Sequence, residues 1–235
     1  MGTCMVQPSR HPDRSLFDFD ALAREYDRWY ETPAGQMYDR VQKEDVRRLL
    51  PPAVAGQTLL DVGCGTGHWS AFFAEMGYRV TGVDLAAQMI EVARAATGQC
   101  TFLVADACHL PFGKSSFEAV AAMATLEFLP DPAAAVQEMV RCAKRDAHLL
   151  IGTLNRLAPL NRRRLAEGRE PYASAHLLAP EELHVLLAPF GHVRMVASSL
   201  PGCDGRPSLA KRAVRRSAGS RNRLAGPFLI AEVRL

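Results

Sequence analysis

The chain has 235 residues, 48% hydrophobic and 23% charged, which fits one α/β domain with a sheet between two helix layers and excludes global disorder. Its net charge of +3 is unevenly placed: seven of the 28 Lys/Arg fall between Arg206 and Arg223, where Asp and Glu are absent, so the rest is mildly acidic. Six cysteines without a CxxC pair or zinc spacing, no run near the ~18 apolar residues of a membrane span, and Pro, Arg and Asp in place of a signal core lead us to expect a reduced, cytoplasmic protein with no metal site and no membrane span.

Residues 1–15 read as a flexible tail. Phe19, Leu22, Ala23, Tyr26 and Trp29 recur at three- and four-residue spacing, which predicts a helix over 16–29. A second helix is expected over 36–50, stopped by Pro51-Pro52, because proline disfavours helix in the residue before it and has no N–H to donate. Alternation then begins. Strands are expected at 58–62, 79–83 and 100–104, with helices at 67–76 and 86–95 between them, the pattern of βαβ units around a parallel sheet. A strand at 117–123, a helix at 132–143 and a strand at 148–154 follow. Pro180-Glu181-Glu182 starts another helix, with proline in its first turn and acids near its positive end. Two late strands, 193–198 and 228–233, have no helical pattern between them. The Arg/Ser/Gly/Ala-rich stretch 202–226 that joins them reads as a mobile loop or a short basic helix.

The densest signal is Leu59-Leu-Asp-Val-Gly-Cys-Gly-Thr-Gly-His-Trp-Ser70, a buried strand that ends in three alternate glycines and turns helical. Gly63, Gly65 and Gly67 lack Cβ atoms, so the chain can turn sharply and a nucleotide-like ligand can approach bare backbone at the N–H end of the next helix. The next strand ends in Asp84, 21 residues after Gly63, where a doubly wound sheet places the acid that binds ribose hydroxyls.

These blocks, with Val104-Ala-Asp106-Ala107 and Leu110-Pro-Phe112 in register behind them, resemble the class I S-adenosylmethionine-dependent methyltransferases. The likeness runs from about residue 23 to 191 and is nearest to the small-molecule branch that contains the ubiquinone and menaquinone biosynthesis methylases. It implies a Rossmann-like, seven-stranded, mostly parallel sheet with an antiparallel last strand and helices on both faces. A nicotinamide dehydrogenase, the competing fold, would continue βαβ where this chain shows a helix-free strand pair.

The resemblance also implies S-adenosylmethionine as cofactor and a set of residues to hold it. Gly63, Cys64, Gly65 and Gly67 would face its methionine part, with Asp61 orienting that loop and, through backbone or water, the ammonium. Asp84 would take the ribose, Leu85 and Met89 would sandwich adenine, and Asp106 with Ala107 would read its amino group. Asp84 could instead be a helix N-cap, and Met89 could be core. Tyr26, with Trp29, would belong to a lid formed by residues 16–50; ordinary helix packing is the alternative. For methyl transfer the protein chiefly positions reactants and desolvates the nucleophile, so few catalytic side chains are required. Candidates on the acceptor side are Glu127, which could also be a loop brace, and Tyr172 and His176 as bases for a hydroxyl or amine.

The expected reaction moves a methyl group to O, N, C or S of a small metabolite within one domain, 16–235. The basic segment 206–223 keeps an RNA or protein target open, although it lacks interleaved aromatics for base stacking. A regulator that binds the cofactor without turnover is a third reading.

Overall fold

The computed structural model describes residues 15–199, 215–216 and 224–235. The expected tail, apart from residue 15, lies outside them, as does most of the basic segment. The sheet consists of β1 (Thr58–Val62), β2 (Arg79–Asp84), β3 (Thr101–Val104), β4 (Phe117–Met123), β5 (Ala143–Leu154), β6 (Val193–Ser198), a two-residue β7 (Arg215–Arg216) and β8 (Phe228–Arg234). Around it lie α1 (Arg28–Glu31), α2 (Pro33–Leu49), α3 (His68–Glu75), α4 (Ala87–Ala96), α5 (Pro132–Cys142), α6 (Pro159–Ala166) and α7 (Pro180–Leu187).

The strand order is β3-β2-β1-β4-β5-β8-β6-β7. From β3 to β5 every pair is parallel, while β8 enters antiparallel between β5 and β6. The seven expected strands are therefore present in the expected sense, and Arg215–Arg216 adds a short pairing on the outer side of β6. The order reverses between β1 and β4, and in open α/β sheets the crevice at the carboxyl ends of such strands is where ligands bind.

Both faces of the sheet are covered, which is why its central strands lack a polar side. Leu60, Val120, Leu149 and Ile151 pack with Val136 and Met139 of α5 and Leu183 and Leu187 of α7. Their neighbours Leu59, Ala121, Leu150 and Ile230 point the other way, onto Val46 and Leu49 of α2 and Trp69, Phe72 and Phe73 of α3.

Three expectations change. The helix over 16–29 is replaced by a 3-10 turn at Asp20–Leu22, irregular backbone and the four-residue α1. Asp18 accepts from the Asp20 N–H, Thr32 is extended before Pro33, and Phe19 and Tyr26 are drawn over the cleft described below rather than onto one helix face. The next helix begins earlier than expected, at Pro33 instead of residue 36, with Thr32 as its N-cap accepting from the Gly35 N–H at 3.0 Å. β5 starts at Ala143 instead of 148, through a register shift opposite Phe117/Ala119. The helix α6 was not foreseen, since its polar sequence Pro-Leu-Asn-Arg-Arg-Arg-Leu-Ala has no apolar stripe.

Candidate active site

At the carboxyl ends of β1, β2 and β4 lies a cleft of about 850 Å³, the open solvent at its mouth included. Its floor is Gly63, Cys64, Gly65 and Thr66; one wall is Asp84, Leu85 and Met89 with Ala105, Asp106 and Ala107. Opposite stand Ala124, Thr125 and Phe128, and the chain before α2 closes over the top with Ser15, Phe19, Tyr26 and Tyr30.

The glycine loop is tied to the acid of the next strand. Asp84 Oδ2 accepts from the Gly65 N–H at 2.8 Å and its Oδ1 from the Ala86 N–H at 2.9 Å. Each oxygen keeps a second lone pair, so the carboxylate can brace the loop, cap the approach to α4 and still accept two hydroxyls from the cleft. Burial raises the Asp84 carboxyl, partly offset by those two N–H groups. Asp106 is organised similarly: its Oδ1 accepts from the Cys108 N–H at 2.8 Å in a short turn after β3.

At Gly65 (φ +53°) a Cβ would meet nothing within 4 Å, so its bare backbone opens onto the cleft. Gly67 differs. It caps α3 at φ +84°, and a Cβ there would press on Phe102 at 3.0 Å and Ala93 at 3.3 Å. Gly67 does not line the cleft, and its lack of a side chain lets α3 pack against β3 and α4.

Asp61 also lies below the cleft rather than on its surface. Its Oδ2 accepts from Ser70 Oγ at 2.6 Å, while Oδ1 is buried with no hydrogen-bond partner. Burial pushes its carboxyl up to about 7 against the lowering effect of Ser70, and the nearby Asp84 adds to the rise. An orphaned buried carboxylate oxygen beneath a loop of exposed N–H groups suits a cationic ligand group reached through the loop or a water. With the spare lone pairs of Asp84 and the open face of Gly65, these residues fit an adenosyl amino acid bearing an ammonium and a sulfonium.

Over the top, Thr66 Oγ1 donates to Asp27 Oδ1 at 2.7 Å, Leu16 N–H to the Phe128 carbonyl at 2.8 Å and Gln88 N–H to Asp20 Oδ1 at 2.8 Å. The segment before α2 is thus fastened to the glycine loop, to the 3-10 turn Leu126–Phe128 and to α4. Burial pushes the Tyr26 phenol up, with Tyr172, Glu127, Asp84 and Asp27 contributing. Phe19 meets both Tyr26 and Phe128 edge-on.

Of the two readings open for Trp29, packing is the one seen. Trp29 stacks on Tyr38 of α2 and is absent from the cleft, whereas Tyr30, one residue on, lines it. The missing helix accounts for this, because helical spacing projected Trp29 onto the face of Tyr26. Tyr30 lies flat on the ring of His68, centroids 3.8 Å apart and planes 11° from parallel. His68 also lines the cleft.

None of the three acceptor-side candidates lines the cleft. Glu127 is fully buried and accepts from Thr153 Oγ1 at 2.9 Å and the Leu154 N–H at 3.1 Å, so it braces β4 to β5. The side chain of His176 is exposed, and its backbone N–H donates to the Glu127 carbonyl. Tyr172 lies under the Arg164 guanidinium, 4.4 Å from its ring centroid. Among the described residues no group of three or more His, Cys, Asp or Glu is placed to hold a metal, and no helix is long and apolar enough to cross a membrane.

Residues 60–151 match the model of a methyltransferase domain family. A ubiquinone biosynthesis O-methyltransferase of Xanthomonas axonopodis pv. citri is 34% identical over 160 residues, 64% of this chain and 65% of that protein. A demethylmenaquinone methyltransferase of Renibacterium salmoninarum is 32% identical over 145 residues, 60% of this chain and 59% of that one. The chain spans about three fifths of the length of the curated relatives it matches. Among solved structures, a Thermotoga maritima S-adenosylmethionine-dependent methyltransferase, described as a possible histamine N-methyltransferase, aligns with a TM-score of 0.71 at 25% identity, covering 92% of this chain and 97% of that one. Sheet order, glycine-loop cleft and these matches together make the chain similar to the class I S-adenosylmethionine-dependent methyltransferase superfamily. Within it, the chain is similar to the branch of ubiquinone and menaquinone biosynthesis methyltransferases.

Proposed function

We propose that the protein transfers a methyl group from S-adenosylmethionine to an oxygen, nitrogen, carbon or sulfur atom of a small metabolite, within one domain spanning 16–235 and in the cytoplasm. The observation that carries this reading is the bond from the Gly65 N–H to Asp84 at the floor of an aromatic-roofed cleft, which joins the loop and the sugar-binding acid into one preformed unit. When bound, the cofactor supplies an electrophilic methyl on a sulfonium, so this chain's work is to bind, orient and exclude water.

In this reading Asp84 accepts the ribose hydroxyls and Leu85 and Met89 flank the adenine, which Asp106 and Ala107 read along its edge. Gly63, Cys64 and Gly65 face the methionine part, with Asp61 supplying negative charge from below. Tyr26, Tyr30 and Phe19 roof the site and present aromatic faces to the cation. The similarity to ubiquinone biosynthesis O-methyltransferases and to a structure described as a possible histamine N-methyltransferase supports a small acceptor over a macromolecule.

Asp84→Ala should weaken S-adenosylhomocysteine binding at least tenfold in calorimetry; an unchanged affinity would remove the sugar assignment. Incubating the protein with methyl-labelled cofactor and fractionated cell extract should place label in the small-molecule pool. Label confined to RNA or protein would overturn the acceptor class.

A further inference from the structure

We infer that His68 is the general base that removes the acceptor's proton, held in place by Asp39 and Tyr30. This rests on the methyl-transfer reading above. His68 Nε2 and Asp39 Oδ1 are 2.7 Å apart, and a carboxylate only accepts, so Nε2 carries the proton and donates it. In the neutral imidazole Nδ1 then bears the lone pair, and it has no hydrogen-bond partner among the described residues. The flat stack on Tyr30 leaves the ring little freedom to turn. A base with one ring nitrogen fixed by a carboxylate, on a side chain that lines a ligand cleft, has the organisation of an activated acid–base dyad.

Position along the sheet agrees. Asp84 ends β2 and Asp106 follows β3, so an adenosine bound between them would leave the reacting end of the donor toward β1 and β4. There His68, the first residue of α3, stands with Tyr30 and Thr125 on the same cleft. The charged and titratable groups around the imidazole are Asp39 and Lys43 of α2, Tyr30 of α1, and Asp27, which accepts from Thr66. Lys43 Nζ lies 2.8 Å from Asp39 Oδ2. Burial alone would raise the Asp39 carboxyl, but the bonds from His68 and Lys43 outweigh it and hold it below the usual range, so the orienting group stays ionised.

In the step itself the acceptor's O–H or N–H proton passes to His68 Nδ1 as the acceptor lone pair forms a bond to the methyl carbon. The carbon–sulfur bond breaks and its electron pair stays on sulfur, giving the thioether. The imidazolium is stabilised by Asp39 and returns its proton to water at the cleft mouth.

The test combines three readouts on wild type, His68→Gln and Asp39→Asn. Nitrogen-15 NMR of the ligand-free protein should show a single His68 tautomer, protonated at Nε2, which becomes a mixture in Asp39→Asn. Calorimetry with S-adenosylhomocysteine should give affinities within about threefold of wild type for both variants, which also serves as the folding control. The initial rate of label transfer into the small-molecule extract should fall 10²–10⁴-fold in His68→Gln. The acidic limb of the wild-type rate–pH profile should vanish with it.

A donor affinity that falls as far as the rate would make His68 a donor-binding residue and overturn the inference, as would an Nδ1-protonated tautomer or an unchanged rate. Failure of the wild type to bind S-adenosylhomocysteine would instead sink the methyl-transfer reading. Binding without any label transfer would overturn the base role alone.

Discussion

Glu127 shows how one acid can leave two readings open in the sequence that the fold separates. Beyond β4, at the ligand-binding end of the sheet, an acid reads as an acceptor contact or as a loop brace; in the fold it turns inward and ties β4 to β5 through Thr153 and Leu154. Burial pushes its carboxyl up to about 7, although the two bonds it accepts lower it. A folded value above the unfolded one means the native state holds the extra proton, so the contribution of Glu127 to stability is fully present below about pH 4.5 and is lost as pH rises through 7. Glu127→Gln keeps an acceptor for Leu154 and a donor for Thr153 and cannot ionise. It should match wild type near pH 4.5 and exceed it at pH 8 by on the order of 2–3 kcal/mol in urea unfolding. Equal stability of the two proteins at pH 8 would show that Glu127 ionises in the ordinary range.

The segment before α2 is the element whose form departs most from its sequence pattern. Three- and four-residue spacing of aromatics is a helix signal when those residues share a core face; here Phe19, Tyr26 and Tyr30 share a cleft, and irregular backbone brings them there. The segment is held by few bonds, so each should matter to ligand exchange more than to stability. Asp27→Ala removes the acceptor of Thr66, a charge-assisted bond worth about 1.5 kcal/mol. Stopped-flow release of S-adenosylhomocysteine should then be roughly tenfold faster, and an unchanged release rate would show that this tether does not govern opening. The glycine loop behaves in the opposite way: β1, the loop and α3 lie where the sequence put them, because glycine conformational demands are local and can be read residue by residue.

At the scale of the molecule, the return of the chain into the middle of the antiparallel edge requires buried polar staples that no motif announces. Asn155 Nδ2 donates to the carbonyls of Leu224 and Gly226, and Asn161 Nδ2 to those of Asn155 and Pro227, all at 2.7–2.9 Å. Both asparagines are fully buried, and they fix the entry of β8 beside β5. Asn155→Leu would orphan two carbonyls and should cost about 2–4 kcal/mol in urea unfolding, with the m-value unchanged. A loss below about 0.5 kcal/mol would show that water replaces the staple.

Strand and helix identity from 58 to 154, the glycine turn and the acids that end β2 and follow β3 were legible in the chain, because each depends on local periodicity or on backbone freedom at a named glycine, whereas the antiparallel finish came only from the resemblance. What required the folded molecule was proximity between distant residues. Asp39 and His68 are 29 positions apart, Asp27 and Thr66 are 39 apart, and Glu127 meets Thr153 across two strands. Whether a histidine opening a helix is a solvated cap or a poised base depends on which carboxylate another element delivers to it, and local spacing carries no record of that meeting.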